Sequence, residues 1–290
     1  MNTNSSVPLV LPIFSLVMAT YGRSNELLQF LLQLHHQIFS RFELIVVDQN
    51  PDDRLAAILE PYRGSFPLIH IRCDIGQSRA RNLGLQTIRG EIVAFPDDDC
   101  WYPPGLLHKI SQRFDQKIEV DGIACRITDD FGNDYPGFST QPGPIKKCNV
   151  WGRGSGPGTF FRRSVVDAVG KFDETLGAAP GNRWASSEDI DYLLRALEHG
   201  FRIDYEPDLI VHHPNPLRQG YAVLIDRALD YGSGMGRVWH KHRFPIHYVF
   251  YRLSRSLGGA IISFLKGNPL RARYQWLSFI GKWYGWHDRA

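Results

Sequence analysis

Cysteine is scarce in this chain, with four residues in 290 and no Cys-x-x-Cys pair. Zinc sites and disulfide frameworks use cysteines at close or recurring spacings, so we expect neither here. The four side chains are instead expected to be reduced thiols in a cytoplasmic protein. They are Cys73, Cys100, Cys125 and Cys148.

Long apolar runs are also missing. The longest late run, residues 257–265, is about half the length of a membrane span. The early apolar stretch, residues 7–18, has no basic residues before it and is a poor signal peptide. We therefore expect a cytoplasmic protein, for which contact with the inner face of the cell membrane stays open.

Acidic residues are rare in the last part of the chain. Of 33 Lys and Arg, 12 lie at or after Arg218, whereas only three of the 30 Asp and Glu do. A basic region on an otherwise acidic chain indicates an anionic partner. Aromatic residues recur there at helical spacing, as is typical of a basic helix lying on a membrane surface. They are Trp276, Phe279, Trp283 and Trp286.

Two alternatives remain for these aromatics, because they could instead pack on the rest of the chain or on a second copy in a homo-oligomer. No nucleic-acid motif accompanies the basic residues, so we expect no nucleic-acid partner.

The first 125 residues or so alternate between strand and helix patterns. Short apolar runs at residues 14–18, 42–47, 68–71 and 92–95 predict strands. Helices are predicted from Ser24 as N-cap, at 54–62 and at 78–88. This alternation is typical of βαβ units, and therefore predicts an α/β fold with a mainly parallel central sheet flanked by helices.

The later chain changes character. Residues 128–158 are rich in glycine, proline and polar residues, which predicts a long loop region. A helix is predicted at 188–199, opened by a capping box of Ser186 and Asp189, followed by strands at 202–205 and 209–212. The last 75 residues or so are predicted to be helical.

Glycine is dense at residues 152–158, yet the spacing fits neither a P-loop nor a G-x-G-x-x-G turn. This segment is expected to bend tightly or to let its backbone approach a ligand.

Three consecutive aspartates, Asp97 to Asp99, follow the predicted strand at 92–95. Adjacent carboxylates repel one another, and hard oxygen ligands favour Mg²⁺, Mn²⁺ or Ca²⁺. At the carboxyl end of a strand such a cluster lies at the ligand-binding edge of an α/β sheet. The alternative is a solvated acidic turn.

Six segments in order resemble family 2 glycosyltransferases with a GT-A fold. They are residues 16–23, 42–48, 76–84, 97–99, 170–174 and 188–191, and the resemblance covers about residues 14–213. It implies a catalytic domain at 10–215, with a donor-binding half at about 10–127 and an acceptor-side half at 128–215. A helical C-terminal extension follows at 216–290. The Gln-x-x-Arg-Trp motif of the processive branch is absent, which favours transfer of a single sugar.

The resemblance implies a metal-dependent inverting transfer from a nucleotide-diphosphate sugar to a hydroxyl of a glycan or lipid-linked glycan, in bacterial surface glycan synthesis. The metal would be Mn²⁺ or Mg²⁺, bound by Asp98, Asp99 and His212, with His212 preferred to His213. Asp189 would be the general base, because an alcohol is a poor nucleophile until a carboxylate takes its proton. Glu188 would orient Asp189. The implied donor-binding residues are Thr20, Tyr21, Arg23, Asp48, Arg81, Asp97 and Asp98.

The chain departs from the family pattern at two places. Gly22 stands where the family usually has Asn. An alignment without gaps puts Pro96 at the first aspartate of the metal motif and Asp98 at the second, whereas a shift by one residue gives Asp97 and Asp99. The sequence leaves both registers open.

Structural roles compete with these assignments. Asp48 is also suited to a turn, Arg81 to a surface ion pair and Asp189 to a helix cap. Two other functions stay open at this point, a non-catalytic nucleotide-sugar or carbohydrate-binding homologue and a sugar nucleotidylyltransferase. The second would need an early glycine-rich loop, which residues 20–23 match weakly. The donor base, the sugar and the acceptor are not specified by the sequence.

Overall fold

The computed structural model describes residues 11–135, 137–215, 218 and 220–288. Its centre is an eight-stranded sheet with the order β3-β2-β1-β4-β7-β5-β8-β6. The strands are β1 (Phe14–Thr20), β2 (Phe42–Asp48), β3 (Leu68–Arg72), β4 (Ile92–Ala94), β5 (Gly122–Thr128), β6 (Gly143–Pro144), β7 (Thr159–Arg162) and β8 (Ile203–His212).

The first four strands are mutually parallel, and β8 is parallel to β5. β7 runs antiparallel to both β4 and β5, and β6 is antiparallel to β8. The predicted mainly parallel α/β sheet is therefore confirmed. Three strands were missed. β6 and β7 lie at or beyond the glycine-rich segment, where apolar periodicity is weak, and β5 lies just before it.

Nine α-helices accompany the sheet in the described part of the chain. They are α1 (Asn25–His35), α2 (Ala56–Leu59), α3 (Gln77–Gly84), α4 (Leu106–Gln116), α5 (Arg163–Val169), α6 (Glu188–Glu198), α7 (Tyr221–Lys241), α8 (Ile246–Leu265) and α9 (Pro269–His287). The helical C-terminal region is confirmed by α7, α8 and α9.

The core has two layers because both faces of the sheet are covered, as expected for buried parallel strands. Alternate residues of β1 serve the two layers, with Leu16 in one and Val17 in the other. The first layer includes α1, α2 and α4, and the second includes α3, α5, α6 and part of α7.

Several predicted elements differ in extent. The helix predicted at 54–62 is the short α2 followed by a 3₁₀ turn at Glu60–Tyr62, and the one at 78–88 ends at Gly84 before a second 3₁₀ turn. The two strands at 202–205 and 209–212 are one strand, β8, whose register against β5 shifts between Cys125 and Arg126. Such an irregularity accommodates Pro207, which lacks a backbone N–H donor.

The predicted capping box of α6 is wrong. The N-cap is Ser187, in the left-handed region at φ 69°, and its side chain makes no capping hydrogen bond. The carboxylate of Asp189 instead accepts from the N–H groups of Gly156 and Ile190.

The glycine at the end of α3 sets the distance between that helix and the sheet. A Cβ at Gly84 would collide with Val17 of β1 and would crowd Val47 of β2 at 3.1 Å. α3 can therefore lie directly on the two strands, which brings Arg81 to their carboxyl edge.

α7 and α9 pack closely because glycines face each other along their length. A Cβ at Gly236, Gly281 or Gly285 would collide with the backbone of the opposite helix. No helix in the described ranges is long and apolar enough to cross a bilayer.

Candidate active site

The acidic triplet lies at the carboxyl edge of the parallel strands. Thr20 ends β1 opposite Asp48 at the end of β2, and β4 pairs beside β1 before running into Asp97. Because parallel strands end at the same edge, polar side chains from three separate segments converge there.

Asp98 turns back toward β1. Its carboxylate accepts from Thr20 Oγ1 at 2.8 Å and from Arg23 Nη1 at 2.6 Å. Burial raises the pKa of Asp98 to about 6, and the charge of Arg23 opposes this shift only in part. Arg23 Nη1 also lies 2.6 Å from Asp99 Oδ2, so a single guanidinium serves two carboxylates.

Asp97, Asp99 and His213 each present one ligand atom within 4.8 Å of the others. His213 Nε2 lies 3.1 Å from Asp99 Oδ1 and 3.9 Å from Asp97 Oδ2. Burial alone would lower the pKa of His213, but the hydrogen bond and charge of Asp99 raise it. Two carboxylates and an imidazole form a donor set that fits Mn²⁺ or Mg²⁺.

Two predicted metal ligands, Asp98 and His212, lie outside this cluster. Asp98 is occupied by Thr20 and Arg23, and it is not part of the three-residue cluster. His212 is the last residue of β8, where its ring stacks on Trp101 with centroids 3.8 Å apart. Its neighbour His213, which the sequence interpretation ranked lower, reaches the triplet instead.

Arg81 joins the triplet to α6. Its Nη2 lies 2.9 Å from Asp97 Oδ1 and its Nη1 lies 2.7 Å from Glu188 Oε1, while the side chain is only 2% exposed. Burial raises the pKa of Glu188 to about 7 despite the charge of Arg81. Arg81 is therefore a buried bridge between two predicted site segments, and the alternative of a surface ion pair is excluded.

Asp189 lies on the same side of the site as Arg81. Its Oδ2 accepts from Gly156 N at 2.7 Å, and both residues line a small cavity that Arg81 also lines. A Cβ on Gly156 would lie 3.3 Å from the Cβ of Asp189. The glycine-rich segment thus lets the backbone approach α6.

Two polar atoms of this cavity's residues, Arg81 Nε and Ser155 Oγ, are buried without a hydrogen-bond partner among the described residues. Buried polar groups are usually satisfied, so such atoms indicate a place for water or a polar ligand.

Asp48 is buried at the end of β2 with its oxygens engaged by the chain. Oδ1 accepts from the backbone and side-chain nitrogens of Asn50 at 2.8 and 2.7 Å, and Oδ2 lies 3.0 Å from His70 Nε2. Asn50 in turn accepts from the N–H of Gly22. Asp48 therefore shapes the turn beside Tyr21, which is 50% exposed.

An open groove begins at Asp99 and runs along the first turns of α1. Trp101 forms part of its wall, and the indole N–H donates to Asp130 at 2.8 Å. The groove is lined by Asn25, Glu26, Gln29, Asp99, Cys100, Trp101, Asp130 and Pro214. The carboxylate and amide groups of this lining can form hydrogen bonds with hydroxyls, and the indole ring of Trp101 offers a flat apolar surface beside them. The groove therefore suits a ligand with many hydroxyls.

The motif at 170–174 orders α3 rather than contacting the triplet. Asn82 donates to the carbonyl of Phe172 at 3.1 Å and accepts from its N–H at 2.7 Å. Glu174 accepts from Asn82 Nδ2 at 3.0 Å. These bonds fix the helix that carries Arg81.

His213 was ranked below His212 from the sequence, and Trp101 was given no site role. The signal for Trp101 was its place two residues after the triplet. No sequence signal separates His213 from His212, because the choice depends on which face of the last strand meets the triplet.

Residues 15–170 match the Glycosyl transferase family 2 profile, which is more than half of the chain. The chain therefore belongs to glycosyl transferase family 2. It is a glycosyltransferase with a GT-A fold. This result leaves the nucleotidylyltransferase alternative without support.

Curated relatives agree with this assignment. Glycosyltransferase AglE of Haloferax volcanii is 24% identical over 83% of this chain and 78% of its own length. An uncharacterised glycosyltransferase of Haemophilus influenzae is 30% identical over 64% of this chain and 62% of its own length.

Solved structures share the fold at low identity. Mannosyltransferase PcManGT from Pyrobaculum calidifontis, in complex with GDP-Man and Mn²⁺, has a TM-score of 0.64 and 15% identity, covering 98% of this chain and 89% of that one. S. aureus TarS, in complex with UDP-GlcNAc, has a TM-score of 0.61 and 17% identity, covering 91% and 90%.

Proposed function

We propose that this glycosyltransferase moves one sugar from a nucleotide-diphosphate donor to a hydroxyl acceptor, with inversion and with a divalent cation. The observation that carries the proposal is the Arg81 bridge, which ties Asp97 of the triplet to Glu188 beside Asp189. A single displacement at a sugar carbon needs a cation beside the leaving diphosphate and a base beside the acceptor hydroxyl. The Arg81 side chain connects the segments that would supply these two groups.

The cation would be held by Asp97, Asp99 and His213, and would be Mn²⁺ or Mg²⁺. When bound, it would offset negative charge on the diphosphate that leaves. The Mn²⁺ and GDP-Man in the PcManGT structure support this proposal. Arg23 and Arg81 add fixed positive charge on either side of the triplet.

The nucleotide would lie over the ends of β1 and β2. Thr20 and Asp98 brace each other there, Asp48 holds the turn that receives the base, and Tyr21 offers an exposed ring against it. We keep Asp48 as the proposed base-recognition residue, although its oxygens already hold Asn50 and His70.

Asp189 would take the proton of the acceptor hydroxyl on the side opposite the leaving diphosphate, which inverts the anomeric centre. Its hydrogen bond from Gly156 fixes one oxygen, and Arg81 with Glu188 fixes the first turn of α6. Glu188 is therefore a positioning residue.

The acceptor would enter from the acceptor-side half, residues 128–215, while residues 10–127 hold the donor. We propose a glycan or lipid-linked glycan in bacterial surface glycan synthesis. The open groove beside Asp99, where Asp130 and Pro214 of the acceptor-side half meet residues of the donor half, suits such a hydroxyl-rich ligand. A lipid-linked acceptor would bring the enzyme to the inner face of the cell membrane.

A thermal-shift screen of nucleoside diphosphates and their sugars, with and without Mn²⁺, tests the donor site. We expect one base to raise the melting temperature only when Mn²⁺ is present, and the matching donor to be hydrolysed slowly. If no nucleotide sugar binds with either Mn²⁺ or Mg²⁺, the proposal fails.

A further inference from the structure

The outward face of α8 is apolar and largely exposed. Its inner face supplies buried residues, among them Val249, Leu253 and Ala260. On the opposite face of α8, and at the tip of the hairpin that α8 and α9 form (residues 264–273), large apolar side chains have exposed fractions between 49% and 77%. These are Ile246, Phe250, Tyr251, Ile261, Ile262, Phe264, Leu265 and Leu270.

Of the four aromatic residues predicted to form a stripe on α9, two are packed against the core and two are exposed. Phe279 and Trp286 pack against the core layer of α6 and α7, whereas Trp276 and Trp283 are 47% and 42% exposed. The main apolar surface is therefore on α8 and at the tip of the α8–α9 hairpin, and it includes part of the apolar run at residues 257–265.

Positive charge borders this surface, and its Lys and Arg side chains form no ion pair with a carboxylate within the described ranges. Residues 231–287 contain nine Lys and Arg and no Asp or Glu. By helical spacing, Arg252 and Arg255 of α8 and its C-cap Lys266 fall on one flank of the helix, between its buried face and its apolar face. The hairpin tip adds Arg271 and Arg273.

Lys282 of α9 extends this basic flank toward the seam between the helices. Its Nζ donates to Ser256 Oγ at 2.8 Å. Burial, together with the charges of Arg252 and Arg255, lowers the pKa of Lys282 to about 8. Three neighbouring cations without a carboxylate partner in the described ranges favour the approach of an anion.

We propose that the outer face of α8 and the hairpin tip dock on a bilayer of anionic phospholipid. The apolar side chains would enter the boundary between headgroups and acyl chains, and the flank of Arg252, Arg255 and Lys266 would contact phosphates. A partner protein or a second copy would need carboxylates placed to match this flank, whereas an anionic bilayer presents phosphate groups at any orientation. The inference deepens the proposed membrane contact and does not depend on the transfer chemistry.

Flotation of the full chain with vesicles tests the proposal. We expect it to float with vesicles of phosphatidylcholine and phosphatidylglycerol, to stay behind with phosphatidylcholine alone, and to be released by added salt. Equal flotation with both vesicles, or none with either, would overturn the proposal.

Paired variants locate the surface. Replacing Phe264→Ser and Leu265→Ser together is expected to weaken vesicle binding by about tenfold. The control Ile118→Ser removes another side chain that is 82% exposed, on the catalytic region, and should change nothing. If both proteins bind alike, the hairpin tip is not the docking surface.

A second pair of variants tests the contribution of charge. Arg252→Gln and Arg255→Gln are introduced together, and Lys109→Gln on α4 is the control. We expect about tenfold weaker binding to anionic vesicles for the pair only. Sedimentation velocity is run alongside, because a dimer that these variants break would assign the face to a second copy and refute the lipid proposal. Donor hydrolysis without vesicles should be unchanged, which separates this result from a failure of the active site.

Discussion

Two clusters of buried carboxylates lie within the same protein and are balanced differently. Around the triplet, five carboxylates share the positive charge of Arg23, Arg81 and His213. Those carboxylates are Asp97, Asp98, Asp99, Glu188 and Asp189. One turn further along α6, Asp191 contacts Arg195 at 3.0 Å, Lys241 at 2.7 Å and His242 at 2.9 Å.

The pKa values record the difference. Burial raises the pKa of Asp98 to about 6. Burial also acts on Asp191, but His242, Lys241 and Arg195 overcome it and lower that pKa to about 2. A carboxylate cluster that is short of positive charge is suited to receive a cation, and one that is fully paired is suited to hold the fold. The four predictions that follow separate the two roles.

Asp189→Asn should have the largest effect, and on turnover alone. We expect a loss on the order of 10³ in kcat, because the amide takes up no proton at neutral pH. Donor affinity and melting temperature should stay near wild type, since the amide oxygen can still accept from Gly156. Transfer assays and calorimetry measure these quantities, and a variant within a few-fold of wild type in turnover would remove Asp189 as the base.

Asp191→Asn should lower stability and leave turnover nearly unchanged. We expect a loss of about 3 kcal/mol in the free energy of unfolding, because removing one charge of a buried network leaves its partners uncompensated. Turnover per folded molecule should change little. Denaturant unfolding gives the first quantity and initial rates the second. If the variant is stable but inactive, Asp191 has a role in catalysis, and the division of roles between the two clusters is wrong.

The stability of the wild-type protein should also fall at low pH through Asp191. Its pKa in the folded protein, about 2, lies below the ordinary value of 3.8, so its contribution is complete above pH 4 and is lost as the pH falls through 2. A shift of this size corresponds to about 2 kcal/mol. The difference in unfolding free energy between wild type and Asp191→Asn should therefore narrow between pH 4 and 2, and a constant difference would contradict the assignment.

Asp99→Asn should have the smallest effect, on metal affinity. The amide keeps an oxygen ligand but removes one charge, and we expect Mn²⁺ to bind about tenfold more weakly. The matched change Asp98→Asn should alter Mn²⁺ affinity less, because Asp98 faces Thr20 and Arg23. Calorimetric titration with Mn²⁺ compares the two, and a larger loss for Asp98→Asn would restore the other register of the motif.

The sequence predicted β1 to β4 and β8 and the convergence of polar residues at one sheet edge, because these follow from apolar runs and from the geometry of parallel pairing. It did not predict β5, the parallel partner of β8. It did not separate His213 from His212, since the direction of a side chain at a strand end depends on the neighbouring strand and on the Trp101 bridge. It also gave no hint that Asp191 is structural. The partner that decides this, His242, follows 51 residues later in the chain.

The contacts of α7 with α6 reach further than stability. Lys241 and His242 hold Asp191, and Gly234 lies so close to Ser186 that a Cβ would collide with its backbone. The helix that bears Asp189 is thus braced from its outer side by α7 and the residue that follows it. We expect that cutting away residues after 220 would remove this brace together with the proposed lipid-docking face of α8, and so would loosen α6 as well as weaken membrane binding.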